Sequence, residues 1–375
     1  MTAQDAKRVP MVQMLSIEGE FSVAEEFAEY GAYLERLTTE DYLKFYRDMA
    51  VMRRFDGEAT ALQRQGQLGL WIPAIGQEAA QIGSGYGVGH NDHIFPSYRE
   101  HGVAITHGID LMSILKMLRG VNHGGWNPDE TRFHLYAIVL GTQTLHATGY
   151  AMGLAFDGKV GTGNKDEDLA VITYFGDGAT AEGDVSEALL FAAINQTPQV
   201  FFCQNNQWAI SSNVARQTKA PLYLRGTGFG VPGIQVDGND VLACYAVTAK
   251  HMDDARAGLG PTFIEAMTYR IGAHTTSDDP TKYRDSAEVE YWKARDPLAR
   301  FEKFLRKRGV EQAFFDECDA LGDKLAAEIR EATFALGNPP VENMFQHVYS
   351  QPHPLIAEQY QWLTEYEASF EGEGN

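Results

Sequence analysis

The fold of this chain is decided by residues 169–210, LAVITYFGDGATAEGDVSEALLFAAINQTPQVFFCQNNQWAI. One short β-rich run ends at Gly176-Asp177-Gly178, and a second run, residues 200–203, is followed by Asn206. The helix-like segment between the two runs makes this a β-α-β unit with parallel strands. Because parallel strands carry their ligand sites at their carboxyl ends, we expect Asp177 and Asn206 to lie close together.

The two polar side chains at these strand ends indicate a hard divalent cation. Carboxylate and amide oxygens suit Mg²⁺, which is usually shared between a few protein oxygens and the phosphates of a substrate. The glycines on either side of Asp177 let the backbone approach a phosphate, and the N-terminus of the following helix favours an anion. A lone Gly-Asp-Gly is usually a plain turn, but its position between a strand and a helix favours a diphosphate and magnesium site.

The segment closely resembles the thiamine-diphosphate motif, in which Gly-Asp-Gly is followed after about thirty residues by Asn-Asn. The rest of the chain resembles the α subunit of the E1 component of 2-oxo acid dehydrogenases, the group with the pyruvate and branched-chain enzymes. The family's further motifs occur in its order at residues 64–79, 95–99, 140–143 and 269–279, so the resemblance covers roughly residues 40 to 350. It implies an α/β thiamine-diphosphate-binding fold, with a parallel sheet flanked by helices.

The resemblance also implies which residues hold the metal and the diphosphate. Asp177, the side chain of Asn206 and the backbone carbonyl of Trp208 are the expected Mg²⁺ ligands, with Asn205 a less direct partner. Gly178 and Ala179 belong to the cofactor site. Tyr98 and Arg99 match the family's diphosphate-contacting pair, which supplies a hydroxyl and a bidentate guanidinium. Ser97 and Gln204 differ from some relatives, which leaves the remaining phosphate donors open.

Two other segments are assigned by the same resemblance. Backbone groups near Ile138 and Leu140 would hold the aminopyrimidine ring, with Leu140 beneath the thiazolium, although on sequence alone these residues would be core. Thr142 and Gln143 could bind K⁺, as in some relatives.

His274 is the histidine, of eleven in the chain, that we expect to be catalytic. It begins a polar loop, where an imidazole could exchange a proton near neutral pH. In the family this histidine stabilises the diphosphate end and assists acyl transfer to lipoamide. Thr275 stands where some relatives have a phosphorylated serine, so phosphorylation control is not predicted. His90 and His93 lack an apparent third metal ligand and are taken as structural.

The expected activity is that of an E1 α subunit, which works only with a β subunit in an α₂β₂ heterotetramer. The glutamate that activates the cofactor belongs to the β subunit in two-chain relatives, and Glu78 is expected to orient substrate or support structure. The small 2-oxo acid would be decarboxylated and its acyl group passed to a lipoyl-bearing E2 acyltransferase. The 270–279 loop favours a branched-chain substrate of the 3-methyl-2-oxobutanoate type slightly over pyruvate, and the pocket near Trp71 and Ile75 must be completed by the β chain.

Two other classes of function stay open at this point. A magnesium-dependent phosphate-ester hydrolase could use Asp177 and Asn206 without thiamine diphosphate, and a non-catalytic assembly subunit would need no cofactor. The formal net charge of −20 argues against binding to nucleic acid or to an acidic membrane. No signal sequence or long apolar segment is evident, which together with three widely spaced cysteines predicts buried thiols in a cytoplasmic protein.

Three regions are expected along the chain. Residues 1–40 would form an N-terminal arm, residues 41–285 the domain that binds thiamine diphosphate and magnesium, and residues 286–375 a helical C-terminal extension. A helix is predicted to start near Thr39-Glu40-Asp41 and to run to about Leu62. The glycine-rich residues 66–89 are predicted to form active-site loops.

Overall fold

A computed structural model describes residues 10–122, 125–164 and 166–370. The strands are β1 (His93–Phe95), β2 (Val171–Gly176), β3 (Gln199–Asn205), β4 (Trp208–Ala209), β5 (Ser212–Asn213), β6 (Gly233–Asp237) and β7 (Thr262–Met267). The α-helices are α1 (Ala28–Leu34), α2 (Thr39–Arg64), α3 (Glu78–Gly87), α4 (His101–Thr106), α5 (Leu111–Arg119), α6 (Pro128–Thr131), α7 (Thr142–Phe156), α8 (Gly183–Asn195), α9 (Val214–Gln217), α10 (Tyr223–Phe229), α11 (Val241–Arg256), α12 (Ser286–Lys293), α13 (Pro297–Lys307), α14 (Gln312–Phe334) and α15 (Pro354–Ala368).

The central sheet has five parallel strands in the order β1-β2-β3-β7-β6. Strands β2 and β3 are neighbours, with α8 between them in the chain, so the predicted β-α-β unit is confirmed. Gly176 pairs with Gln204 in this register, which brings Asp177 and the Asn205-Asn206 pair to the same edge of the sheet. The α/β fold class expected from the resemblance is likewise confirmed.

Alternate residues of the central strands enter different apolar clusters, because successive strand side chains point to opposite faces. Val200 and Phe202 of β3 join the large cluster that contains residues of α3 and α11, whereas Phe201 and Cys203 join a cluster with residues of α8. Both faces of the sheet are therefore covered, as is usual for an all-parallel sheet.

Helix α2 begins where the sequence predicts. Thr38 is its N-cap, and the Asp41 backbone N–H donates to the Thr38 hydroxyl at 3.3 Å while the Asp41 carboxylate accepts from the Thr38 N–H at 2.7 Å. This reciprocal capping box satisfies donors that a helix start otherwise leaves unpaired.

The prediction of loops throughout residues 66–89 is wrong for its second half, which forms the buried helix α3. Its glycines allow close packing, since a Cβ on Gly83 would lie 2.5 Å from the Val241 carbonyl oxygen and one on Gly87 would lie 2.8 Å from Thr248 Cβ. The small residues thus bring α3 and α11 together rather than supplying flexibility.

The two ends of the chain pack differently. Val12 forms a bridge to Val236 beside β6, and Met14 and Leu15 are buried in the large cluster. Phe301 and Phe315, from α13 and α14, join the same cluster, while α15 has no buried residue. The three-region division stays a prediction, and its outer parts, residues 1–9 and 371–375, lie outside the described residues.

Cys203, Cys244 and Cys318 are buried and free, which confirms the expectation of buried thiols. Within the described parts of the chain, none of the helices is both long and apolar enough to cross a bilayer.

Candidate functional site

A cavity of about 230 Å³ opens at the carboxyl ends of β2 and β3. It brings together most of the residues predicted from the sequence, although they come from distant parts of the chain. Its lining comprises Gln77, Ser97, Tyr98, Arg99, Glu100, Leu140, Gln143, Gly176, Asp177, Gly178, Ala179, Glu182, Gln204, Asn206, Trp208, Ala209, Ile210 and His274.

Asp177 starts a single 3-10 turn, Asp177–Ala181, directly after β2. Its side chain is 1% exposed, and burial raises the pKa of the carboxyl to about 6. One carboxylate oxygen accepts from Gln217 Nε2 at 3.0 Å, which leaves the carboxylate with free lone pairs for a cation. The following Gly178 has no room for a side chain, because its Cβ would lie 2.7 Å from Ala209 Cβ.

Asn206 presents its amide beside Asp177. Its Oδ1 accepts from the Trp208 N–H at 3.2 Å, and its Nδ2 donates to Gln77 Oε1 at 3.3 Å. These two bonds identify which end of the Asn206 amide is the oxygen, and that oxygen faces the Trp208 backbone. Asn205 points elsewhere, since its Nδ2 donates to Glu265 Oε1 at 2.7 Å, which agrees with its expected indirect role.

Several buried polar atoms of the cavity wall have no hydrogen-bond partner within the described chain. They are Gln77 Nε2, Glu100 Oε2, Gln143 Oε1, Gln204 Oε1 and Trp208 Nε1. Leaving such atoms unpaired is costly, so this concentration at one cavity is what a site built for a polar ligand shows. The donors and acceptors present fit a group that carries both a diphosphate and a polar ring.

His274 lies between two guanidinium groups. Its Nδ1 is 3.2 Å from Arg99 Nη2 and 3.2 Å from Arg270 Nη1. Because a guanidinium only donates, Nδ1 must be the acceptor, and the ring proton is on Nε2. Arg99 also donates to the His274 carbonyl at 3.1 Å, and the His274 N–H donates to Asp278 at 2.8 Å.

Burial, together with the nearby charges of Arg99 and Arg270, lowers the pKa of His274 to about 3. This lowered pKa argues against proton exchange by His274 near neutral pH, so that role stays a prediction. Here the imidazole is a neutral Nε2–H donor. A bound anion would oppose the two positive charges and shift this balance toward the protonated ring.

Arg270 is fully buried and was not predicted as a site residue. Its guanidinium donates to the Trp208 carbonyl at 2.9 Å, to the Ile210 carbonyl at 2.8 Å and to the Tyr283 hydroxyl at 3.0 Å. It thereby fixes the backbone that carries the expected third metal ligand. A carbonyl has two lone pairs, so this bond leaves one for a cation.

The remaining predicted residues divide between the cavity and its rim. Tyr98, Ala179 and Leu140 line the cavity, with Leu140 44% exposed. Ile138 is 61% exposed and does not line it. Trp71 is fully buried and stacks on His101. A substrate pocket near Trp71 and Ile75 stays a prediction.

Glu100 and Gln77 are cavity residues without a predicted role. Glu100 Oε1 accepts from Gln204 Nε2 at 2.7 Å, and burial raises the pKa of the Glu100 carboxyl. Glu100 has only the signal that it follows Arg99, whereas Gln77 lies within the motif at residues 64–79. Gln217 has no such signal, because it lies 40 residues from Asp177.

Two further predictions concern K⁺ binding by Thr142 and Gln143 and the structural role of Glu78. Gln143 is tied to the Tyr174 carbonyl at 2.8 Å, and Thr142 is the first residue of α7, so their role in K⁺ binding stays a prediction. Glu78 accepts from Arg53 at 2.8 Å and from the Gly76 N–H at 2.9 Å, which is a supporting role.

No group of three His, Cys, Asp or Glu side chains suited to a metal occurs among the described residues, and His93 instead contacts His134 and Tyr150.

Comparison with known proteins places the chain in a family. Residues 46–342 match the family described as the dehydrogenase E1 component. The 3-methyl-2-oxobutanoate dehydrogenase subunit alpha of Mycobacterium tuberculosis (strain H37Rv) is 44% identical over 333 residues, which cover 88% of this chain and 89% of the relative. The pyruvate dehydrogenase E1 component subunit alpha of Staphylococcus aureus (strain Mu50) is 37% identical over 337 residues, or 88% of each chain. The chain therefore belongs to the dehydrogenase E1 component family, which confirms the resemblance seen in its motifs.

Proposed function

We propose that this chain is the α subunit of an E1 enzyme that decarboxylates a branched-chain 2-oxo acid and transfers the acyl group to a lipoyl group on an E2 acyltransferase. The observation that carries the proposal is the convergence of Asp177, Asn206, Arg99 and His274 on one cavity at the ends of β2 and β3. Family membership supplies the class of reaction, and the cavity supplies groups suited to it.

The donor set fits thiamine diphosphate and Mg²⁺. Asp177, the Asn206 side-chain oxygen and the Trp208 carbonyl would hold the metal, since Mg²⁺ prefers few protein oxygens together with phosphate oxygens. Arg99, Tyr98 and His274 would hold the diphosphate. The unpartnered amide atoms of Gln77, Gln143 and Gln204 provide further donors and acceptors at the same cavity. K⁺ at Thr142 and Gln143 is a secondary part of the proposal.

Thiamine diphosphate, when bound, supplies a nucleophilic carbon and an electron sink for decarboxylation. The residues of this chain bind and orient it. Arg99 neutralises diphosphate charge while its bonds to Pro73 and His274 hold its position. His274 offers the Nε2–H as a donor, and the apolar Leu140 covers the cavity rim, where it would exclude water.

A partner chain must complete this site. Leu140, which lines the cavity, and Ile138, two residues before it, are exposed apolar residues. Helices α7 and α8, which pack together, expose Leu145, Phe191 and Ile194. Exposed apolar side chains on two helices packed beside a cavity are typical of a protein interface. We assign it to the β subunit of an α₂β₂ enzyme, which would also bring the activating glutamate. A cytoplasmic location is part of the proposal.

The substrate preference follows the relatives. The Mycobacterium tuberculosis protein, whose name refers to 3-methyl-2-oxobutanoate, is 44% identical, against 37% for the Staphylococcus aureus pyruvate enzyme subunit. This difference agrees with the preference from the 270–279 loop. Pyruvate is the alternative substrate, while the comparisons give no support to the phosphate-ester hydrolase or the non-catalytic assembly subunit.

The test is dye reduction by the chain co-purified with its β subunit, with and without thiamine diphosphate and Mg²⁺. We expect turnover only with both, and a higher kcat/KM for 3-methyl-2-oxobutanoate than for pyruvate. A higher value for pyruvate would overturn the substrate assignment. Absence of turnover with either acid, in a well-formed complex, would overturn the proposed activity. The Asp177→Ala variant is the matched control for the metal site.

A further inference from the structure

Asp56 is a buried carboxylate of α2 that does not line the cavity. It accepts three hydrogen bonds, all from the loop between α2 and α3. One oxygen accepts from Trp71 Nε1 at 2.7 Å, and the other accepts from the backbone N–H groups of Ala74 and Ile75, each at 3.1 Å. A buried carboxylate with this many donors from one loop fixes the conformation of that loop.

The first connection from Asp56 to the cavity passes through a single peptide group. The Ala74 N–H donates to Asp56, and the carbonyl of the same peptide, Pro73 C=O, accepts from the Arg99 guanidinium. In a planar trans peptide these two groups point in opposite directions. The carboxylate and the guanidinium therefore hold the Pro73–Ala74 peptide from both sides, and Arg99 is in turn bonded to His274.

The second connection passes through Trp71. Its indole N–H donates to Asp56, while its backbone N–H donates to Thr276 Oγ1 at 3.1 Å and its carbonyl accepts from the Thr276 N–H at 3.0 Å. Thr276 lies two residues after His274. Asp56 is thus linked to the His274 loop by two routes, one through Arg99 and one through Thr276.

We propose that Asp56 is a positioning residue, which sets the orientation of Arg99 and His274 toward the diphosphate by fixing the Trp71–Gly76 loop. This inference rests on the proposed function, because it concerns the diphosphate contacts named there. Asp56 itself touches neither cofactor nor substrate. Both carboxylate oxygens of Asp56 act as acceptors. Asparagine has the same shape but only one acceptor oxygen, because its NH₂ group would face either the Trp71 indole N–H or the backbone N–H groups of Ala74 and Ile75.

The main test is the Asp56→Asn variant of the full chain, purified with its β subunit. We expect the Kd for thiamine diphosphate, measured by calorimetry with Mg²⁺, to rise about tenfold, and kcat to fall about tenfold with KM for the 2-oxo acid changed less than about twofold. Trp71→Phe, which removes only the indole N–H, should shift both quantities in the same direction by about threefold.

Asp240→Asn is the matched control. Asp240 is also a fully buried carboxylate that accepts backbone N–H bonds, from Met14, Leu15, Leu242 and Ala243, but it lies outside the cavity. It should lower the thermal stability of the complex and leave the Kd for thiamine diphosphate and kcat within about twofold of wild type. An equal loss of cofactor affinity in Asp240→Asn would reduce Asp56 to a general stability role and overturn the proposal.

The decisive step is a double-mutant cycle with Arg99→Ala. If Asp56 acts mainly through Arg99, Asp56→Asn should change the Kd for thiamine diphosphate by no more than about threefold in the Arg99→Ala background, because only the connection through Trp71 and Thr276 remains there. A full tenfold loss there would contradict the inference. Failure of the proposed function is distinguishable, because the wild-type complex would then not bind thiamine diphosphate. In that case amide hydrogen exchange tests the inference. Asp56→Asn should raise the exchange rate in residues 71–76 and 272–277, whereas Asp240→Asn should not. Unchanged exchange in Asp56→Asn would overturn the proposal.

Discussion

At the scale of single residues, the site is governed by burial acting on charge. Asp177 and His274 are both largely removed from water, and burial shifts each pKa in the direction that favours the neutral side chain. The pKa of Asp177 rises to about 6, whereas that of His274 falls to about 3 because Arg99 and Arg270 add to the effect. The sequence identified both residues, but their electrostatics depend on arginines that only the fold brings close.

The pH dependence of cofactor binding should follow Asp177 and not His274. A metal requires the ionised carboxylate, so the apparent affinity for Mg²⁺ and thiamine diphosphate should fall as pH drops through about 6. Below that pH the expected slope is about tenfold per pH unit. Binding measured between pH 5 and pH 8 checks this. His274→Asn should weaken binding and leave the midpoint in place, and a midpoint that moves with His274 would contradict the assignment.

Asp177 should also reduce the stability of the cofactor-free protein. Its folded pKa of about 6 exceeds the ordinary 3.8, so ionisation opposes folding, and stability is lost as pH rises from about 4 to about 6. At pH 7.5, Asp177→Asn should therefore raise the free energy of unfolding by on the order of 2–3 kcal/mol. At pH 3.5 the gain should vanish. Denaturant titrations of the cofactor-free complex at both pH values test this, and a destabilised variant at pH 7.5 would refute it.

At the scale of elements, strands were more predictable than the segments around them. The apolar runs of β2 and β3 and the capping box of α2 have local signals, and all three occur where expected. Helix α3 has no such signal, because glycine ordinarily opposes helices. Its formation depends on packing against α11, a contact between segments more than 150 residues apart.

Glycines in α3 and α2 should respond in opposite ways to alanine. Gly83→Ala places a Cβ 2.5 Å from the Val241 carbonyl oxygen and should destabilise the protein by about 1–3 kcal/mol. Gly57→Ala is the control, since a Cβ at Gly57 in α2 has no atom within 4 Å and alanine favours the helix. It should stabilise by about 0.5–1 kcal/mol. Thermal unfolding of the two variants measures the difference, and equal effects would contradict the packing argument.

At the scale of the whole molecule, distant parts of the chain form one candidate site. Motifs separated by more than 150 residues meet at one cavity, and the resemblance predicted this convergence for Tyr98, Arg99, Asp177, Asn206 and His274. The residues that support them could not be predicted in the same way. Gln217 and Arg270 act through contacts 40 and 62 residues along the chain, and no local pattern marks such pairs.

The apolar surface of α7 and α8 should be required for assembly. Ile194 is 72% exposed on α8, so Ile194→Glu should leave the chain folded and weaken its association with the β subunit by on the order of a hundredfold. Leu321→Glu is the control, because Leu321 is 42% exposed on α14, which packs against α2. It should assemble normally. Size-exclusion chromatography of co-expressed subunits tests this, and normal assembly of Ile194→Glu would show that the β subunit binds elsewhere.

The central claim is that this chain holds the diphosphate and metal half of a site that a β subunit completes. Calorimetric titration with thiamine diphosphate, with and without Mg²⁺, tests it most directly for the complex, the isolated chain and the Asp177→Ala complex. We predict tight, Mg²⁺-dependent binding to the wild-type complex and at least a hundredfold weaker binding to the other two, an order-of-magnitude expectation for losing a metal ligand or half of the contacts. Equal binding to the wild-type and Asp177→Ala complexes would contradict the account.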